Sequence, residues 1–380
     1  MTELGDLRMC SVQVSARDAG AAAHRGALTA LRVYSHADSL RDLVAGLADV
    51  GAWLRHEHGV YTVFLQRGWL HGSHVDLVTR AEPGRHVPED ELRERVQAVA
   101  RELPEGYRSE QDYLRTAAEF GAMEQVPPPY LPLLPHRTVS EVADSEVNPW
   151  QGEVAPLRES ALARMFEPVR LTLSVPTRSQ VLSGVAEAFA ALAESHPWGI
   201  AFGSFSFRSH AEAFLHWQRG SADVRIHFDH RLATDRPRVE RVVRAVLEGG
   251  ESCLAARWRS AFAYCAGQFD AAVESGVLND EVVASLAPSG DATVTTDTFD
   301  PSKNNRGPSE FHAAVTASRV TSSPGSWFIG YRLLLNLFYR QLPLLDISPL
   351  QRFYLCYALA EVTDEVTGET WRERLERVSS

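Results

Sequence analysis

The chain is poor in the residues that most often announce chemistry. Its 380 residues hold four cysteines, Cys10, Cys253, Cys265 and Cys356, with no CxxC pair and no histidine at metal-ligand spacing. Such scatter points to reduced thiols in apolar surroundings, not to a zinc site or a disulfide framework. No P-loop, GxGxxG, GxSxG or internal repeat stands out, so the common phosphate-cradling, dinucleotide-binding and serine-hydrolase signatures give no lead. Long apolar runs are missing too. The most hydrophobic stretch, Trp327 to Leu345, is broken by Arg332, Asn336 and Arg340, short of the roughly 20 clean apolar residues of a membrane span. The opening Met1-Thr2-Glu3-Leu4-Gly5-Asp6 lacks the basic and apolar regions of a secretory signal. The expected location is cytoplasmic, with no membrane partner. Basic charge is in deficit, the net charge being −11, which argues against a nucleic-acid partner.

What is present suits a soluble globular protein of one large domain or two ordinary ones, with 44% hydrophobic and 23% charged residues. Val60 to Gln66 and His74 to Thr79 read as two strands joined by a loop holding Gly68 and Gly72. A helix is expected after Pro88, where Glu89, Asp90 and Glu91 oppose the positive dipole end, and another over about 109–124. Five prolines between Pro127 and Pro135 make an extended connector. The expected division is therefore 1–126 as an α/β part, 127–137 as connector and 138–380 as a helix-rich α+β part. In the latter, Thr177 and Gln180 form a capping box for a helix to about Ser195. Ser204 to Arg208 and Asp223 to Asp229 alternate in the period-two pattern of half-buried strands. Asp235 would cap a helix closed by Gly249-Gly250, and 288–309 is polar and turn-rich. The fold class is α+β, with mixed or antiparallel sheets and packed helices.

Two segments could carry chemistry. If 204–208 is a strand burying Phe205 and Phe207, then Ser204, Ser206 and Arg208 share the other face. Ser209 and Glu212 would cap a helix starting at His210. The free N–H groups of that junction, beside Arg208, could hold an oxygen gaining negative charge, while its dipole would keep His210 neutral. The second segment is a buried helix over about 326–341, apolar on nearly every side, on which Arg332, Asn336 and Arg340 form one polar stripe flanked by Tyr331 and Tyr339. Buried guanidiniums need partners, so the stripe either meets carboxylates such as Asp346 or Glu361 or lines a cleft with Tyr331 as proton donor. Arg225 and His227 on one strand face, and Glu159-Ser160 and Tyr264 on helices, form a weaker third cluster.

The hairpin Phe64-Leu65-Gln66-Arg67-Gly68 … His74-Val75-Asp76-Leu77-Val78 resembles the opening of the C-terminal elimination domain of lantibiotic dehydratases and their thiopeptide-type relatives. The connector leading to Pro135-His136-Arg137-Thr138-Val139, the Glu159-Ser160 helix and Trp327 to Phe338 follow in that family's order. Asp76 and Val78 stand where the glutamate-eliminating members carry arginines, and Leu333-Leu334-Leu335-Asn336 replaces their His-rich run. Ser206-Phe207-Arg208-Ser209-His210 looks like the stand-alone pyridine synthases of that group. The resemblance implies an elimination-domain-like fold and a cofactor-free, metal-free cyclase. Its partner would be a ribosomally made precursor peptide, leader plus modified core, docked by its leader on a strand edge of the first part. Two dehydroalanines would join by a formal [4+2] step, with loss of water and of the leader. On that reading Tyr331 and His210 transfer protons, Arg208 and Arg332 orient amide oxygens, and Asn336, Ser206, Tyr339, Arg340, Glu159 and Arg225 bind the peptide. A glutamate-eliminating lyase and a non-catalytic precursor-binding scaffold are the competing readings.

Overall fold

The computed structural model describes residues 28–124, 126–150, 152–217, 224–250, 252–286, 307–318 and 326–379. The first part runs β1 (Leu28–Tyr34), α1 (Arg41–His58), β2 (Thr62–Gly68), β3 (His74–Arg80), α2 (Glu89–Glu102), α3 (Glu110–Glu124), β4 (Val139–Glu141) and the short α4 (Asp144–Val147). Helices follow: α5 (Ala155–Leu173), α6 (Arg178–Glu194), α7 (Ile200–Trp217), α8 (Val224–Glu248), α9 (Cys253–Glu274) and α10 (Asp280–Leu286). The rest is α11 (Glu310–Ser318), α12 (Ser326–Gln341), α13 (Pro349–Thr367) and α14 (Trp371–Ser379). A small antiparallel sheet and many packed helices make the fold α+β, as the alternation of patterns implied. Among the described residues no helix is long and apolar enough to cross a membrane.

The sheet has the order β2-β3-β1-β4. The β2/β3 hairpin pairs Thr62 with Arg80 and Gly68 with His74. β4, beyond the proline connector, pairs Val139 with Val33 on β1. Both β2 and β3 pack under α1, and α5 lies against β2. Charges inside this layer are paired. Arg32 holds Asp76 at 2.8 Å, and Gln66 donates to the same carboxylate at 3.1 Å. Arg80 holds Glu159 at 2.9 Å, and Asn148 donates to Glu159 at 3.0 Å. Val78 is sealed at 0% exposure.

The helical part is built around aromatic rings. Phe338 of α12 meets Phe189 of α6 at 5.1 Å and both Trp258 and Phe262 of α9, at 5.5 and 5.4 Å. Such edge-to-face pairs add about 0.5–1.5 kcal/mol each to the burial of the rings. The Thr177–Gln180 capping box starts α6 as expected, and a second one, Ser348–Gln351, starts α13. Gly203 lets α7 approach α6: a Cβ there would lie 2.1 Å from the Ala193 carbonyl oxygen, a distance no side chain tolerates.

Two expected strands are helices. Residues 204–208 lie inside α7, and 224–229 begin α8, which runs unbroken through Asp235. Asp235 is therefore no cap; its carboxylate accepts from Tyr354 at 2.7 Å and from Arg231 at 3.2 Å. The alternation of Phe205 and Phe207 spans only five residues. Over the longer window Phe207, Ala211 and Leu215, all buried, recur at helical spacing, and that longer period wins. The turn-rich segment 288–309 falls outside the described residues up to 306. So does Cys10, whereas Cys265 and Cys356 are free and buried and Cys253 is free and exposed.

Candidate functional site

Residues of α7, α8, α13 and α14, with Ser309 and the first turn of α11, line a cleft of ≈ 950 Å³. On α7 its wall is Arg208, Glu212, Leu215 and His216, spaced i, i+4, i+7 and i+8 and so on one face of the helix. On α13 it is Glu361, Asp364 and Glu365, again one face. α8 contributes Arg225, and Phe311, Trp371 and Arg372 close the outer side.

The walls are made of arginine–carboxylate pairs. Arg208, only 6% exposed, donates to Glu361 at 2.7 Å and to Asp364 at 2.9 Å. Asp364 also takes Arg374 and the backbone N–H of Trp371, the latter at 3.1 Å. Arg225 grips both oxygens of Glu212, at 2.9 and 2.8 Å, and Arg372 meets Glu310. Each charge-assisted bond is worth about 1.5–3 kcal/mol where water is kept out. The cleft thus presents fixed donors and acceptors of both signs, suited to a peptide's amides.

Behind the α7 wall lies a second polar layer. The His210 ring shares a 3.0 Å hydrogen bond between Nδ1 and the Tyr339 hydroxyl, which also meets Cys356 Sγ at 3.2 Å. The Arg352 guanidinium sits 5.0 Å from the Tyr339 ring centroid. Tyr331 donates its hydroxyl to the Gly203 carbonyl at 3.2 Å and packs edge-on against His196 at 4.9 Å. Burial pushes both phenols well above their usual range, so they stay protonated. Burial also drives His210 down to about 3, with Arg352, His312 and Arg332 adding to the effect. The Cys356 thiol is pushed up to about 12 by burial.

His196 and His74 are likewise driven down to about 4, by burial first. For all three histidines the folded chain binds a proton later than the unfolded chain does. Their contribution to stability is therefore complete above about pH 6.5 and falls as the pH drops toward 4, by up to ~1.4 kcal/mol per unit for each ring. The urea midpoint is expected to fall between about pH 7 and pH 5, and the His196→Gln variant to lose part of that slope. A midpoint constant over this range would contradict the burial of these rings.

The structure separates residues that the sequence grouped. A strand would put Arg208 and His210 on one face; in a helix two residues apart they stand about 200° apart. Arg208 therefore faces the cleft and His210 faces α12. Nor is His210 at a helix start, so its low basicity comes from burial and not from a dipole. Ser209 is mid-helix and caps nothing; its hydroxyl meets His312 Nε2 at 3.0 Å. Arg208 is no lone cation for an amide oxygen but a strut between two carboxylates. Of the ten candidate residues, Arg208 and Arg225 line the cleft. Arg225 comes from a helix and not from a strand face shared with His227. Glu159 is buried at the sheet with Arg80. Tyr331 and Tyr339 are buried in the layer behind the wall, Ser206 is half-buried on α7, and Arg332, Asn336 and Arg340 form a half-buried stripe on α12. Of the carboxylates named as partners for that stripe, Asp346 holds Arg178 at 2.6 Å and Glu361 holds Arg208 at 2.7 Å.

His216, Asp364 and Trp371 were not singled out from the sequence, and Glu212 was read only as a capping residue, whereas it lines the cleft and holds Arg225. The acids at 361, 364 and 365 do carry a signal, since i, i+3, i+4 spacing puts three carboxylates on one face of a long apolar helix. Among the described residues no group of three or more His, Cys, Asp or Glu side chains is arranged to hold a metal ion.

No protein-family model matches the chain, and no curated protein matches it in sequence. Solved structures do match its fold. One is the pyridine synthase TbtD from thiomuracin biosynthesis, with a TM-score of 0.62 and 20% identity over 91% of this chain and 99% of that one. Another is TsrL, with a TM-score of 0.60 and 15% identity over 93% of this chain and 99% of that one. The chain thus has a pyridine synthase-like fold over most of its length.

Proposed function

We propose, on the premise of that shared fold, that the chain closes a peptide macrocycle by building a pyridine from two dehydroalanines of an azole-bearing precursor peptide. The observation that carries this reading is the ≈ 950 Å³ cleft, walled by paired arginines and carboxylates, in a fold matched along almost its whole length by a pyridine synthase. One dehydroalanine and its neighbouring amide, as the imidic-acid tautomer, form an azadiene. The alkene of the other dehydroalanine adds across its ends, making two carbon–carbon bonds. Water then leaves from the former amide carbon and the leader leaves as a carboxamide, which makes the ring aromatic. Two distant parts of one peptide must be held in contact, and binding geometry supplies that gain. Tautomerisation and both departures need placed donors and acceptors, which the cleft offers. The leader is assigned to the sheet-bearing first part, where β2 ends the sheet.

Arg225 is a cleft cation placed to bind substrate, because its side chain is 43% exposed while the more buried Glu212 aims it. Arg225→Ala is expected to raise KM roughly ten- to hundredfold, the equivalent of a charge-assisted bond of about 1.5–3 kcal/mol, with kcat little changed. Steady-state kinetics with the precursor would reveal a uniform-binding role in this way; an unchanged KM would place the peptide elsewhere.

Glutamate elimination is less well supported. At the two positions where that chemistry uses arginines stand Asp76, neutralised by Arg32, and the sealed Val78. Incubating the protein with dehydrated, azole-bearing precursor and weighing the products separates the readings. The cyclase predicts a macrocycle and a detached leader, a lyase predicts free glutamate from a glutamylated precursor, and a scaffold leaves every mass unchanged.

A further inference from the structure

We propose that His312 is the acid–base group of the cleft, working through the Ser309 hydroxyl in the cleft wall and held in position by Ser209. The inference rests on the cyclase reading above and adds to it the residues that move the proton.

Ser309 lines the cleft and immediately precedes α11. Its oxygen accepts the backbone N–H of His312 at 3.3 Å, as a capping serine does. That task uses only the oxygen as acceptor. The hydroxyl proton remains to be donated, and the His312 Nδ1 atom stands 2.6 Å away. With Nδ1 accepting, the neutral ring carries its proton on Nε2, which donates to Ser209 on α7 at 3.0 Å. A helix start needs no imidazole. Here one is clamped at both nitrogens by hydroxyls from two separate elements, the arrangement that fixes a tautomer and aims a base.

The charges around the ring suit the task. From α7 come Glu212 and His216, with His210 on the far side; from its own helix comes Glu310, paired with Arg372 of α14. Arg225 of α8 acts through Glu212, and Glu361 and Asp364 of α13 stand across the cleft, tied to Arg208. Burial lowers the basicity of His312, while Glu212 opposes that trend, so the ring begins neutral and its charged form has a carboxylate nearby.

The step balances without any further reactant. The N–H proton of the amide passes to Ser309 Oγ as the Ser309 O–H proton passes to Nδ1, leaving an amidate and an imidazolium. The return transfer goes through the same hydroxyl to the carbonyl oxygen. The amide becomes its imidic acid, and the ring and serine are restored.

The test is steady-state kinetics of the full chain with dehydrated, azole-bearing precursor across a pH series, for the wild type, His312→Gln and Ser209→Ala. General acid–base catalysis contributes about 10²–10⁴-fold, so His312→Gln is expected to lose kcat by that order, to keep KM within about twofold, and to lose the acidic limb of its pH profile. Ser209→Ala, the milder change, is expected to lower kcat about tenfold and to move that limb. Urea midpoints should stay near wild type, because the cap of α11 survives in both. Wild-type kcat and an intact acidic limb in both variants would overturn the relay and leave the cyclase reading standing. A wild-type protein that forms no macrocycle would remove the cyclase reading and this relay together.

Discussion

Arg208→Met is expected to lower the unfolding free energy by about 3 kcal/mol. The guanidinium is 6% exposed and is the shared partner of Glu361 and Asp364. Removing it leaves two carboxylates facing each other across a partly dry wall, and breaking one side of a buried pair costs about 3–5 kcal/mol. The lower end applies for two reasons. Glu361 keeps 31% of its side chain exposed and can turn to water, and Asp364 is still held by Arg374. Adding Glu361→Gln to Arg208→Met should recover part of the loss, because one uncompensated charge then disappears. Urea denaturation of the two variants checks this. A loss below about 1 kcal/mol is what an exposed ion pair gives and would mean that the α7–α13 wall is wet.

Phe338→Ala is expected to cost about 3–5 kcal/mol. The ring is 0% exposed and is met by Phe189, Trp258 and Phe262, from two other helices. Those neighbours are fixed in their own packing, so the space would remain as a cavity instead of closing. Phe338→Leu keeps most of the volume and should restore the larger part of the loss. The cavity would open beside Tyr339, whose ring lies 6.2 Å from that of Phe338. A rise in the basicity of His210 is then expected in Phe338→Ala, as water reaches the layer. Thermal or urea unfolding measures the first effect; histidine titration by NMR measures the second. A cost under about 1 kcal/mol would mean that α12 is not docked on α6 and α9.

Elements whose signals are local were legible in the sequence. The β2/β3 hairpin, the Thr177–Gln180 capping box and the limits of α12 each follow from a few adjacent residues whose periodicity or caps have a single reading. Residues 204–208 and 224–229 were misread because short polar–apolar alternation also occurs on helices, and Phe207, Ala211 and Leu215 settle the matter only over a longer window. That one error carried into the site. It put Arg208 and His210 on a common face and gave Ser209 a capping role, whereas α7 turns the first toward the cleft and the second away from it. The cleft itself was not legible, because its walls come from 208–225, 309–311 and 361–372, and no spacing rule joins segments that far apart. The partners of buried charges were equally hidden. Arg208, Arg178 and Arg32 each had several carboxylates to choose from, and only the packing of helices on helices and strand on strand makes the choice.

The most direct measurement of the proposed cyclase activity is the identity of any leader fragment released when the purified chain is given a dehydrated, azole-bearing precursor. In the proposed reaction aromatisation expels the leader with the nitrogen of the consumed dehydroalanine, so high-resolution mass spectrometry should find a leader ending in a carboxamide, in equal amount to a macrocycle that has lost that fragment and one water. A leader ending in a free acid would be hydrolysis, and an intact precursor would be binding without chemistry; either result contradicts the account.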